Sequence, residues 1–228
     1  MRVAEIYSSI QGEGFLTGTP SAFVRASGCN LRCWFCDTPY ASWRPEGADL
    51  AVEEIVAKIE TFDCEHVVLT GGEPMLFAEL IPLCEQLHAR KHHITIETAG
   101  TLYLPLACDL MSISPKLANS TPSLKLAPNW HHRHERTRHA PEVIRRLADE
   151  YEYQFKFVVQ HPRDGEDVLR YLADFPSIDR QRVMLMPMGT DVDELARVSQ
   201  WLTAFCNRYG LRSCPRRQIE WFGLVRGT

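Results

Sequence analysis

The stretch Ser21–Trp43, "SAFVRASGCNLRCWFCDTPYASW", sets three cysteines, Cys29, Cys33 and Cys36, within eight residues at the end of an apolar run. An apolar run that stops at such a loop reads as a strand delivering the loop to one edge of a sheet. Three thiols are one short of a closed structural zinc site and one more than a disulfide uses. Cysteines this close in sequence are usual ligands of iron–sulfur clusters, where each iron of a four-iron cluster takes one cysteine. Three would leave one corner open to bind something reactive. A zinc ribbon borrowing Cys64 or a histidine of residues 131–139 as its fourth ligand is the alternative, and spacing alone leaves both open.

Outward from that loop the chain alternates between two periods. "LAVEEIVAKIETF" has Val52, Ile55, Val56, Ile59 and Phe62 at helical spacing, with Asp49 as a candidate N-cap. "HVVLTGG" reads as a buried strand, "FAELIPLCEQLHAR" as a helix, and "HHITIETAG", "CDLMSISPK" and "YQFKFVVQ" as strands. "GEDVLRYLADF" is helical, "RVMLMPMG" a strand and "DVDELARVSQWLTAFCNRYG" a longer amphipathic helix. Strands alternating with helices imply an α/β fold with a mostly parallel sheet, here of about six strands. That count predicts an incomplete, TIM-type barrel in a single domain, residues 1–228. Polar and glycine-rich residues collect where strands end: Thr70–Pro74, Glu97–Gly100, Ser112–Lys116 and Met186–Gly189. In such folds ligands bind at that edge.

Composition narrows the class. Apolar residues make up 45% and charged ones 24% of the 228, ordinary values for a globular domain. The net charge of −4 argues against a nucleic acid as direct partner. No apolar run is long enough to span a bilayer, and "MRVAEIYSSIQGEG" carries no export pattern. A cytoplasmic location with reduced cysteines follows, so Cys64, Cys84, Cys108, Cys206 and Cys214 read as inert thiols. Residues 119–141, with "NWHHRHERTRHAP", read as a solvated loop with no metal role.

The spacing in "CNLRCWFC", with Phe35 between the last two cysteines, resembles the cluster loop of the radical S-adenosylmethionine superfamily. "TGGEP", Thr70–Pro74, fits the same resemblance: glycines let backbone approach a ligand, and Glu73 could accept hydrogen bonds from its ammonium. The resemblance implies a 4Fe–4S cluster on Cys29, Cys33 and Cys36, whose open iron S-adenosylmethionine chelates, and a 5′-deoxyadenosyl radical. "SIQGEG" at residues 9–14, placed ahead of the first strand, together with "FVRASGCNL", "CDT", "IETAG", "SISPK" and the terminal "VRGT" narrows it. Together these resemble the 7-carboxy-7-deazaguanine synthase family along nearly the whole chain.

That resemblance implies a carbon–nitrogen lyase converting 6-carboxy-5,6,7,8-tetrahydropterin to 7-carboxy-7-deazaguanine with loss of ammonia, a step toward 7-deazapurines such as queuosine in tRNA. It implies S-adenosylmethionine contacts at Phe35, Cys36 and Asp37, at Gly72, at Ser114, Pro115 and Lys116, and at Met186, Pro187, Met188 and Gly189. Substrate contacts fall on Ile10, Gln11, Gly12 and Thr70, and Arg25 would hold the substrate carboxylate bidentately. Read without the family, Arg25 is a surface ion pair, Thr38 a turn residue and Gln11 and Glu13 loop polars. With it, Thr38 ligates Mg2+ and the terminal Thr228 reaches the pterin, the tail being pinned by Trp221, Phe222, Leu224 and Val225. Arg217 and Gln218 stand where many relatives have a histidine. A homodimer and an electron donor such as flavodoxin or ferredoxin are further implied. The competing readings are an activase that installs a glycyl radical on a partner protein and a zinc-stabilised, non-catalytic binding module.

Overall fold

Six largely buried runs become the parallel strands of one sheet in the computed structural model, which describes residues 1–228. The chain opens with β1 (Arg2–Ile10), β2 (Pro20–Ala26) and the short β3 (Ala48–Asp49). It continues α1 (Val52–Ile59), β4 (His66–Gly71), α2 (Leu80–Ala89), β5 (His93–Thr98) and β6 (Leu110–Ile113). Then come α3 (Pro128–Thr137), α4 (Pro141–Glu150), β7 (Tyr153–Val159), α5 (Pro162–Ala173) and β8 (Val183–Pro187). The last elements are α6 (Val192–Tyr209), β9 (Arg212–Ser213) and α7 (Arg217–Phe222).

The sheet order is β3-β1-β2-β4-β5-β6-β7-β8-β9, with no pairing between the two edges. The barrel is therefore incomplete, as its sequence implies. The strand number is nine, not about six. The expected six are β2 and β4 to β8, all parallel. The surplus is β1, antiparallel to β2, and the two-residue β3 and β9, which are too short to carry a period. Ser9 and Ile10 consequently close the first strand rather than precede it.

Alternation assigns the two faces of the sheet. Val24, Leu69, Ile96, Ile113, Phe157 and Leu185 point outward and pack against Ile55, Leu83, Ile144, Val168 and Leu202 of the surrounding helices in one buried core. Each such side chain contributes about 1.5–3 kcal/mol when fully buried. The alternate residues point inward, the polar Arg25, Thr70, Glu97 and Lys156 beside the apolar Phe23, Val68 and Val158, and they line a cavity. No helix is long and apolar enough to cross a membrane.

Two local readings are corrected. Asp49 pairs with Arg2 in the sheet and does not cap α1; Glu54 instead accepts the N–H of Ala51 at 2.7 Å. Residues 119–141 are no solvated loop, because they contain α3 and start α4. In α3, which Pro128 starts, His134 is fully buried. Its Nδ1 accepts the N–H of Arg32 at 3.1 Å, so its Nε2 carries the proton and donates to Ser120 Oγ at 2.9 Å. Trp130, one turn earlier, lies between the guanidinium groups of Arg32 and Arg133, 4.1 and 4.5 Å from its ring centroid. The helix thus clamps the cysteine loop.

Candidate active site

At the C-terminal ends of the strands one cavity of about 1020 Å³ opens on the inner face. Single-ligand pockets run to about 300–1,000 Å³, so this one has room for a cofactor and a substrate side by side. Its wall includes all three loop cysteines. Burial pushes the Cys29 thiol up to about 12 and the Cys33 thiol up to about 11. Metal binding must therefore displace their protons, and the loop is a thiol site whose affinity rises with pH. No three His, Cys, Asp or Glu side chains converge on a point fit for a single ion. A tetrahedral zinc site needs such convergence, whereas three thiols on one wall with an open side suit a larger cluster.

The loop is held from several sides. Gly72 N–H donates to Ala26 carbonyl at 3.1 Å, and Glu73 N–H donates to Gly28 carbonyl at 2.8 Å. A Cβ on Gly72 would lie 2.1 Å from the Gly28 oxygen, and one on Gly71, whose φ is +134°, 2.1 Å from the Ala26 oxygen. The paired glycines therefore let the end of β4 pack on the backbone of the cysteine loop. Glu73 is fully buried behind that wall. Its carboxylate accepts Met75 N–H at 3.2 Å, Thr98 hydroxyl at 2.9 Å and Ala99 N–H at 2.8 Å, and burial still pushes its pKa up. It joins β4 to β5 and does not line the cavity, so its expected contact with a ligand ammonium lacks access.

The other expected residues mostly converge. Phe35, Asp37, Thr38, Gly72, Ser114 and Lys116 line the cavity, as do Met186, Met188 and Gly189. Pro115 and Pro187 do not; Pro187 sits in the ladder opposite Val159. Ile10, Gln11, Gly12, Arg25, Thr70 and Thr228 line it too. Gly12 is tied to the chain end by Arg217 N–H, which donates to its carbonyl at 3.0 Å. Arg25 is not free: its Nε donates to Glu5 at 2.6 Å and its Nη2 to the Tyr7 hydroxyl at 2.7 Å. Only Nη1 is left without a partner in the chain. The tail is not pinned by its apolar run, since Trp221, Phe222, Leu224 and Val225 are exposed. Arg226 holds it, through Glu5, Glu46 and the Ala4 carbonyl.

A charged network that the motifs leave unassigned crosses the cavity floor. Lys156 Nζ donates to Glu97 at 2.5 Å and to Glu13 at 3.1 Å. Glu13 also receives Arg216 Nε at 3.1 Å and Gln218 Nε2 at 2.7 Å, and Arg216 continues to Asp37. Thr70 hydroxyl donates to Glu97 at 2.8 Å. Burial alone would raise the Glu13 pKa, but Lys156 and Arg216 overcome it and hold the carboxyl well below the usual range. Acidic and basic side chains thus alternate from Asp37 through Arg216, Glu13 and Lys156 to Glu97, which Thr70 joins. Such fixed charges orient a polar ring and cost no reorganisation during reaction. The signal in the sequence was Lys156 itself, a cation inside the apolar run "YQFKFVVQ", which seldom happens without a partner.

The chain is similar to several known proteins. The model of the "Radical SAM superfamily" matches residues 23–150. The chain is 44% identical to a 7-carboxy-7-deazaguanine synthase of Rhodopirellula baltica, over 99% of this chain and 88% of the relative. It is 41% identical to one from Halobacterium salinarum, over 95% of this chain and 88% of that one. Among solved structures it is similar to the crystal structure of QueE from Escherichia coli, with a TM-score of 0.68 at 23% identity, covering 94% of this chain and 92% of that one. A Streptococcus suis SuiB structure bound to S-adenosylmethionine aligns at a TM-score of 0.56 and 14% identity, covering 87% of this chain and 54% of that one.

Proposed function

We propose a reaction for this chain from one premise: it belongs to the radical S-adenosylmethionine superfamily and, within it, to the 7-carboxy-7-deazaguanine synthase family. The activity is that of a carbon–nitrogen lyase, 6-carboxy-5,6,7,8-tetrahydropterin going to 7-carboxy-7-deazaguanine and ammonia. The observation that carries the reading is the single cavity that joins three thiols to a charged floor, in a chain matched end to end by such relatives. The activase and zinc-module readings are not favoured, since those relatives share nearly the full length.

Cys29, Cys33 and Cys36 would hold the 4Fe–4S cluster, with S-adenosylmethionine against Phe35, Gly72, Ser114 and the Met186–Gly189 strand end. Bound together, that pair supplies reductive cleavage of the sulfonium and hydrogen abstraction from carbon. The chain's own residues bind and orient. Arg25 Nη1 is the free donor for the substrate carboxylate, Glu97 and Glu13 face ring N–H groups, and the Thr228 carboxylate accepts from the same ring. The Thr38 hydroxyl, 3.7 Å from Cys36 Sγ, is a ligand for Mg2+, which needs few protein oxygens because it keeps several waters. Thr38→Ala should raise the magnesium concentration needed for half-maximal rate; an unchanged response makes Thr38 a turn residue. A homodimer and a one-electron donor such as flavodoxin or ferredoxin complete the reading.

The test is anaerobic turnover of the reconstituted protein with 6-carboxy-5,6,7,8-tetrahydropterin, followed by mass spectrometry. Stoichiometric deazaguanine and ammonia are expected. A protein that cleaves S-adenosylmethionine but leaves the pterin intact would remove the substrate assignment.

A further inference from the structure

Glu5 on β1 does not line the cavity, yet it holds three residues that do. Its Oε1 accepts Arg25 Nε at 2.6 Å and the Tyr40 hydroxyl at 2.8 Å, and its Oε2 accepts Arg226 Nε at 3.1 Å. The side chain is only 12% exposed, so water does little to replace any of these partners. Arg226 spends its other nitrogens on Glu46 at 2.9 Å and the Ala4 carbonyl at 3.1 Å, with its guanidinium 4.2 Å from the Tyr40 ring centroid. Every hydrogen bond between residues 224–228 and the rest of the chain runs through this one side chain. Leu224 and Val225 add little, being 56% and 59% exposed.

We propose that Glu5 is a positioning residue that fastens the C-terminal tail to Arg25, holding two walls of the substrate pocket in register through one shared carboxylate. Glu5 lies on the antiparallel edge pair with its partner arginine directly across the ladder, Glu5 opposite Arg25. From there it reaches the tail, 221 residues away in sequence. Neutralising it should therefore produce two lesions together: Arg25 loses the anchor that aims its free Nη1, and Arg226 loses its most buried partner. The proposal rests on the reading of Arg25 and Thr228 as substrate contacts.

Glu5→Gln keeps the shape and removes the charge. It should raise the KM for 6-carboxy-5,6,7,8-tetrahydropterin about tenfold, the loss of one charge-assisted hydrogen bond, with kcat within about twofold. Arg226→Ala should raise KM about threefold. The double variant should be no worse than Glu5→Gln alone, because residues that act as one unit are not additive. A second readout needs no turnover: trypsin should cleave after Arg226 faster in Glu5→Gln than in the parent, releasing Gly227 and Thr228, as followed by intact mass. An unchanged KM in Glu5→Gln, effects that multiply in the double variant, or equal cleavage rates would each overturn the coupling. Arg25→Lys separates this from the underlying reading. If Arg25→Lys raises KM and Glu5→Gln does not, only the coupling falls; if Arg25→Lys leaves KM unchanged, the Arg25 reading falls and the coupling with it. Should Glu5→Gln not accumulate as folded protein, an unchanged KM in the exposed Arg226→Ala variant still overturns the proposal.

Discussion

Lys156 is the residue on which the cavity floor depends. Its side chain is 4% exposed and stands between Glu13 and Glu97, so it balances two carboxylates in a partly dry site. Lys156→Met leaves Glu97 without a cation and Glu13 with Arg216 alone. Breaking a buried ion pair from one side costs about 3–5 kcal/mol, and urea unfolding of the metal-free protein should show about 3. A loss under about 1 kcal/mol would mean that cavity water already supports both carboxylates. The cysteines give the second prediction at this scale. Cys29→Ala, Cys33→Ala or Cys36→Ala should abolish iron incorporation, whereas Cys84→Ser or Cys206→Ser, in the helix–sheet core, should keep it. Iron loss from a core variant would contradict the three-ligand assignment. The cysteine loop was legible because its three thiols are local in sequence. The Glu13–Lys156 and Glu13–Arg216 pairs were not, as 143 and 203 residues separate the partners. Glu73 misled for a related reason: its motif marks the right turn, but only the packing shows the carboxylate spent on Thr98 and Ala99.

At the scale of elements, α3 holds the cysteine loop in place through a neutral histidine. Burial pushes the His134 pKa down to about 4; Arg138, Lys116 and His131 add to this, and Glu135 opposes it. A folded value below the ordinary 6.5 means that the unfolded chain takes up the proton first. Stability from this group is therefore complete above about pH 6.5 and is lost as pH falls toward 4. After allowance for solvent screening the loss should be about 2 kcal/mol. Unfolding free energies of the parent and His134→Ala between pH 7 and 5 check this: the variant should be less stable at pH 7, and the difference should shrink as the pH falls. A difference constant with pH would mean that His134 acts by packing alone. This helix escaped the sequence reading because its inward face is the half-buried Trp130 and the buried His134, one turn apart, instead of an aliphatic stripe. The strands and α6 were legible for the opposite reason, since β-branched runs and the Asp191 cap ahead of an apolar period are local signals. Asp191 accepts both Asp193 and Glu194 N–H groups at 3.0 Å.

For the whole molecule, the alternation of buried and inward-facing residues divides each strand between a core and a reaction chamber. That division was visible in the sequence as apolar runs ending in polar or glycine-rich residues, and it fixed the α/β class and the ligand-binding edge. The two-residue strands β3 and β9 were not visible, because pairs so short are set by the register of their neighbours. Nor was the means of closing the chamber, where a single arginine holds the tail and the apolar residues around it face outward. The central claim is that this chamber brings the hydrogen-abstracting chemistry to one carbon of a pterin held by Arg25, the charged floor and the tail. The most direct measurement is anaerobic turnover of substrate carrying deuterium at C6, with mass analysis of both 5′-deoxyadenosine and the deazaguanine. Deuterium should appear in 5′-deoxyadenosine only when the labelled substrate is present, alongside formation of product. Product formed while 5′-deoxyadenosine stays unlabelled would contradict the account.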